Sequence, residues 1–146
     1  MINIRYANEK DESLLLGWVN NSDSISAKLI NKGNISLNEH ADWFLERLKD
    51  VNTYIWIIEN EKNIPIGQIR FQKKSSNYLD VDIYILKEER KKGIASKALN
   101  LASYSVNLFP LRAIVKKNNF RSFSFFSNNG FSLKLEDKFK WVLVKE

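Results

Sequence analysis

The chain predicts an α/β domain in which a mixed, mostly antiparallel sheet carries helices on both faces. Three observations predict it. Apolar residues switch several times between a period of two and a period near 3.6 along the 146 residues. Three strand-like runs in the middle of the chain follow one another at hairpin spacing, which marks an antiparallel meander. The last third then alternates helix and strand, and a chain of this length fits one domain spanning residues 1–146.

The elements follow in order. "INIRYA" alternates as a short strand, and "NEKDESLLLGWVN" sets Leu14, Leu15, Trp18 and Val19 at helical spacing. A polar stretch from Asn20 to Asn34 comes next. "SLNE" then places Ser36 three residues before Glu39, the capping-box spacing, so a second helix starts there. Its apolar face is Leu37, Ala41, Phe44, Leu45 and Leu48, and it ends near Asp50. "TYIWIIE", "PIGQIRFQ" and "YLDVDIYIL" are the meander, separated by the turn-like "NEKNI" and "KKSSN". The helix "IASKALNLASYSVN", the strand "RAIVKK" and the helix "FRSFSFFSN" follow, with Gly130 as the left-handed cap of the last. The strands "FSLKL" and "FKWVLVK" complete the order β-α-α-β-β-β-α-β-α-β-β.

Composition narrows the chemistry. The chain holds no cysteine and one histidine, so thiolate metal sites, disulfides and histidine-rich metal centres are not expected. No segment reaches the length and hydropathy of a signal core or membrane span, which makes the cytoplasm the expected location and a membrane an unexpected partner. A formal charge of +6 fits a nucleotide cofactor, nucleic acid or simply a soluble basic surface. The lysines are interspersed with acids and no aromatic RNA-binding signature occurs, so nucleic acid is not the expected partner.

The most informative stretch is "EERKKGIASKAL", residues 88–99, where a strand passes through a basic turn into a helix. The first amides of a helix lack partners within it and carry partial positive charge, so that end accepts an anion. Gly93 lets a phosphate approach the backbone, Ala95 keeps the next position small, and Arg90, Lys91 and Lys92 surround it with charge.

Arg90-Lys91-Lys92-Gly93-Ile94-Ala95 resembles the acetyl-CoA pyrophosphate loop of the GCN5-related N-acetyltransferase (GNAT) superfamily, whose pattern is Gln/Arg-x-x-Gly-x-Gly/Ala. Asn119-x-x-Ser122, Phe126 and Gly130-Phe131 resemble that superfamily's later motif. A narrower resemblance lies in Trp18-Val19-Asn20, His40-x-x-Trp43-Phe44, residues 66–71 and Asp82-Ile83-Tyr84-Ile85. These are similar to the branch that acetylates the 4-amino group of UDP-linked amino sugars, as in pseudaminic acid biosynthesis.

The resemblance implies acetyl-CoA as the acetyl donor, bound in a cleft where two parallel strands splay apart. Its pantetheine arm would pair with residues 82–86 as an added strand. Amides near Tyr84 and Ile85 would stabilise the developing oxyanion, and Asn119 and Ser122 would be further cofactor contacts. A tyrosine commonly protonates the leaving thiolate in this superfamily, and Phe126 stands at that position; Tyr84 and Tyr104 are conceivable substitutes.

The acceptor must lose a proton, so a base is expected near it. Asp80 and Asp82 share one face of their strand and are candidates; the alternative is a structural carboxylate. His40 is the other candidate, as base or sugar contact, against a plain helix-start histidine. Trp43, Gln68 and Arg70 are candidate substrate contacts, Arg70 for a UDP diphosphate, while Trp56 and Trp141 read as core. Acetylation of a protein N-terminus or lysine, and a non-catalytic acyl-CoA-binding module, are the alternative functions; a homodimer is left open.

Overall fold

The computed structural model describes residues 1–20, 36–74, 77–106 and 110–146. Most of the polar stretch after Asn20 therefore lies outside the described residues, as do the serines of the second turn in the meander. Seven strands form one sheet: β1 (Asn3–Tyr6), β2 (Thr53–Glu59), β3 (Pro65–Lys73), β4 (Leu79–Ile85), β5 (Leu111–Lys116), β6 (Ser132–Glu136) and β7 (Lys140–Lys145). Their spatial order is β1-β2-β3-β4-β5-β7-β6. Every neighbouring pair is antiparallel except β4 and β5, which run parallel.

Among the described residues four α-helices pack on this sheet: α1 (Glu12–Val19), α2 (Leu37–Lys49), α3 (Ile94–Val106) and α4 (Phe120–Asn128). The side-chain alternation of β2 sorts them onto two faces. Ile55 and Ile57 point to the side of α1 and α2, where they meet Leu15, Trp18 and Phe44. Trp56 and Ile58 point to the other side, into the larger core shared with Ala98, Leu99 and Ala102 of α3 and Phe126 of α4. Small residues at 98 and 102 let α3 lie close on the sheet. Trp141 packs partly buried against this core, whereas Leu45, expected on the buried face of α2, is 39% exposed.

The caps follow the local chemistry with one difference. Ser36 Oγ accepts from the Glu39 amide at 3.2 Å, but the Glu39 carboxylate accepts from the Ser36 hydroxyl rather than from its amide, so the expected box is only half made. A complete box sits elsewhere: the Asn8 side chain accepts from the backbone one turn on, and Asp11 accepts from the Asn8 amide at 2.8 Å. Gly130 adopts φ +89 and ends α4, with the Phe131 amide donating to the Phe126 carbonyl at 3.0 Å.

The start of α1 is tied to the sheet by charge. Arg5 on β1 donates through both terminal nitrogens to the buried Asp11 at 2.9 Å and through Nε to Glu59 of β2 at 3.0 Å. Burial alone disfavours the ionised Asp11, but the Arg5 hydrogen bonds, the Asn8 amide and the Arg5 charge together hold its carboxyl below the usual range.

Candidate active site

The parallel strands β4 and β5 stay together for only two rungs. Leu79 pairs with Leu111 and Asp80 with Arg112, and no further rung forms. Each strand nevertheless continues, β4 held by β3 as far as Ile85 and β5 held by β7 as far as Lys116. Two strands bound on their outer sides and parted on their inner sides must leave a wedge. A cleft of about 1630 Å³ occupies it, lined by residues 81–85 on one wall and 114–116 on the other. Beyond Asp80 no rung joins β4 to β5, so an edge of β4 faces the cleft.

The basic turn closes one end of the cleft. A 3-10 turn at Lys87–Glu89 follows β4; Lys91 then adopts φ +64 and Gly93 φ +77, and α3 begins at Ile94. The first helical bond runs from the Lys97 amide to the Gly93 carbonyl, which leaves the amides of residues 94–96 directed at the turn. A side chain at Gly93 would meet nothing within 4 Å, so the space above it is open. Ile94 buries its side chain in the core and offers only its backbone there, while Ala95 lines the cleft.

The three basic residues of this turn have different roles. Arg90 Nε donates to the Ile85 carbonyl at 2.8 Å and its guanidinium lies 5.6 Å from the centre of the Tyr84 ring, so it braces the turn against the strand. Lys92 pairs with Glu89 at 2.9 Å. Lys91 is exposed.

On the opposite wall Asn119 caps α4, accepting from the Ser122 amide at 3.2 Å, and both residues line the cleft. Phe126 also reaches the cleft but is 7% exposed, its ring 5.0 Å from those of Phe125 and Phe131. No proton donor stands at that position. Tyr104 is 89% exposed and not part of the cleft lining, whereas Tyr84 lines it, packed 5.6 Å from Trp18.

Strand alternation brings the polar candidates together on the face of α1 and α2. Gln68 and Arg70 of β3 stand opposite Tyr84 and Asp82 of β4, and Gln72 stands opposite Asp80. Asp82 accepts from Gln68 Nε2 at 2.9 Å and lies 3.9 Å from Arg70 Nη2. Asp80 is gripped by Arg112, through Nε to Oδ1 and through Nη2 to Oδ2 at 2.9 Å. That hydrogen bond, more than the opposing effect of burial, raises the Arg112 guanidinium above its ordinary range. The Arg70 guanidinium lies over the Trp43 ring at 5.0 Å. His40, 4% exposed, lines the same cleft with Nδ1 3.1 Å from Glu12 Oε1.

Two of these partners, Arg112 and Glu12, carried no sequence signal. Each sits in an ordinary strand or helix run and acquires its meaning only from a residue distant in the chain.

A splayed parallel pair, a left-handed basic turn and a helix start whose first amides face that turn together frame the cleft. Its open Gly93, the unladdered edge of β4 and the amides of residues 94–96 suit the phosphates and extended arm of acetyl-CoA. The family model described as the acetyltransferase (GNAT) domain matches residues 2–132, and the chain belongs to that family. It is an acetyl-CoA-dependent N-acetyltransferase.

Solved structures agree on the fold. A domain from Methanocaldococcus jannaschii superposes with a TM-score of 0.85 at 22% identity, over 99% of this chain and 97% of that one. Spermidine N-acetyltransferase from Vibrio cholerae, in complex with CoA and spermine, gives 0.81 at 18% identity, over 98% and 92%. Aminoglycoside acetyltransferase AAC(6')-Ib in complex with coenzyme A gives 0.82 at 14% identity, over 99% and 94%. A search of curated proteins finds no significant match.

Proposed function

We propose that the protein acetylates the 4-amino group of a UDP-linked amino sugar. The observation that carries this reading is Arg70. Its Nε is buried without a hydrogen-bond partner among the described residues, in a side chain that lines the cleft and lies over the Trp43 ring. A buried donor left unpaired is costly, and an anionic acceptor supplies the missing oxygen. Lys74 lines the same cleft. Asp80 and Asp82, the carboxylates a polyamine would seek, are already engaged by Arg112, Gln68 and Arg70.

Acetyl-CoA supplies the activated acetyl group as a thioester. Residues 94–96 and Gly93 would hold its phosphates, the edge of β4 its arm, and Asn119 and Ser122 the opposite side. Backbone amides near Tyr84 and Ile85 would stabilise the oxygen that gains charge. Trp43 and Gln68 would position the acceptor.

Thiol release from acetyl-CoA tests the reading, because a chain without cysteine adds no background to a thiol reagent. The panel is a UDP-4-amino-4,6-dideoxy sugar, spermidine, an aminoglycoside, and peptides with free N-termini or lysines. Turnover selective for the UDP sugar, with its KM raised in Arg70→Ala, is the expected result. Selective turnover of a polyamine, aminoglycoside or peptide would overturn it.

A further inference from the structure

Glu12 opens α1 and His40 lies in the first turn of α2, 28 positions away, yet His40 Nδ1 and Glu12 Oε1 are 3.1 Å apart. The imidazole is fixed from its sides as well. The Phe44 ring stacks on it at 5.9 Å with planes 11° apart, and the Trp43 ring lies at 5.7 Å. The His40 amide is tied to the Ser36 carbonyl at 3.0 Å, so the backbone beneath the ring is held too.

Opposite a carboxylate, Nδ1 is the ring nitrogen suited to carry the proton. An ionised carboxylate only accepts, so the hydrogen between the two belongs to Nδ1. A neutral imidazole carries one N–H, which leaves Nε2 with a free lone pair. Nε2 makes no hydrogen bond among the described residues, and His40 lines the cleft. The carboxylates nearby are placed differently: Asp80 is bound at both oxygens by Arg112, and Asp82 by Gln68 beside Arg70.

We propose that Glu12 is a positioning residue that holds His40 in the Nδ1–H tautomer, so that Nε2 takes the proton the acceptor amine gives up. The inference rests on the reading that an amine enters on this face of the cleft. In the step, one N–H bond of the acceptor breaks, its electron pair stays on the amine nitrogen, and an Nε2–H bond forms. His40 becomes a cation with the Glu12 carboxyl group at its Nδ1. The Trp43 and Phe44 rings keep the imidazole aimed while its charge changes.

His40 is the only histidine in the chain, so a long-range proton–nitrogen NMR spectrum shows one imidazole and reads its tautomer without assignment. The expected spectrum has a protonated Nδ1 and a bare Nε2 in the wild type. Glu12→Gln presents either an oxygen or an NH2 to Nδ1 and is expected to yield a mixture of tautomers. With whichever amine the enzyme accepts, His40→Gln and Glu12→Gln should each lower kcat roughly 10²-fold, the low end for general-base catalysis. KM for acetyl-CoA should not change. The double variant should be no slower than His40→Gln, because Glu12 acts through His40.

A wild-type spectrum dominated by the Nε2–H tautomer would overturn the proposal even if every variant failed to fold. So would a double variant whose loss is the product of the single losses. Neither readout depends on the UDP sugar being the acceptor, so the two readings fail separately.

Discussion

Asp80 of β4 and Arg112 of β5 form a two-pronged ion pair across the last rung that joins these strands. One rung further, the strands part and the cleft begins. The pair therefore clamps the apex of the wedge, with side chains 14% and 22% exposed. Either Asp80→Asn or Arg112→Gln should destabilise the fold by about 2 kcal/mol, less than the roughly 3–5 kcal/mol of a fully buried pair. The double variant should cost less than the sum, since much of the loss comes from the partner left uncompensated. Urea unfolding of the four proteins measures this.

Asp11 predicts a dependence on acid. Its folded pKa lies below the unfolded value of about 3.9 because of Arg5 and the Asn8 amide. The resulting stabilisation is complete above that unfolded value and is lost as pH falls through the lower folded one. Asp11→Asn should therefore unfold more easily than wild type at pH 7, by about 1–3 kcal/mol for a charged hydrogen-bond partner. The gap should narrow as pH falls well below about 3.9. A gap of constant size across that range would show that Asp11 acts by shape rather than by charge.

At Gly93 the backbone is left-handed and the space above it open. Gly93→Ala meets no steric wall within the protein, so its cost is the φ itself, about 1–2 kcal/mol. The added methyl group should obstruct a phosphate approaching the turn. A higher KM for acetyl-CoA with kcat retained is the expected pattern, checked by steady-state kinetics at saturating acceptor.

Gly67 contrasts with it. A Cβ there would lie 2.4 Å from the Tyr84 carbonyl oxygen, which belongs to the backbone of the cleft wall and cannot turn aside. Gly67→Ala must push β3 and β4 apart where β4 faces the cleft. A loss of stability of roughly 1–3 kcal/mol or more is expected, as for overpacking, together with lower turnover. A thermal midpoint equal to wild type would be inconsistent with this close approach.

Much of this protein was legible from local pattern. The period of two placed the meander, and the left-handed turn at Gly130 followed from glycine next to a helix end. The basic loop was legible because strand, glycine and helix are contiguous, and the anion site expected there rests on backbone amides that any such turn exposes. What local pattern does not carry is where the charges of that loop rest: Arg90 donates to the Ile85 carbonyl and Lys92 pairs with Glu89, contacts that depend on where the chain goes next.

The sequence by itself determined the order of the elements, the faces of most helices and the family, because each is written in contiguous residues. Only the tertiary structure decided which candidate side chains are engaged and which are available. Asp80 and Asp82 look alike in the strand, but one stands against Arg112 and the other against Gln68 and Arg70. His40 meets Glu12, 28 positions away, a contact that nothing in either local run announces. Partners of this kind meet by sheet register and helix packing, and no local periodicity encodes where such distant pairs converge.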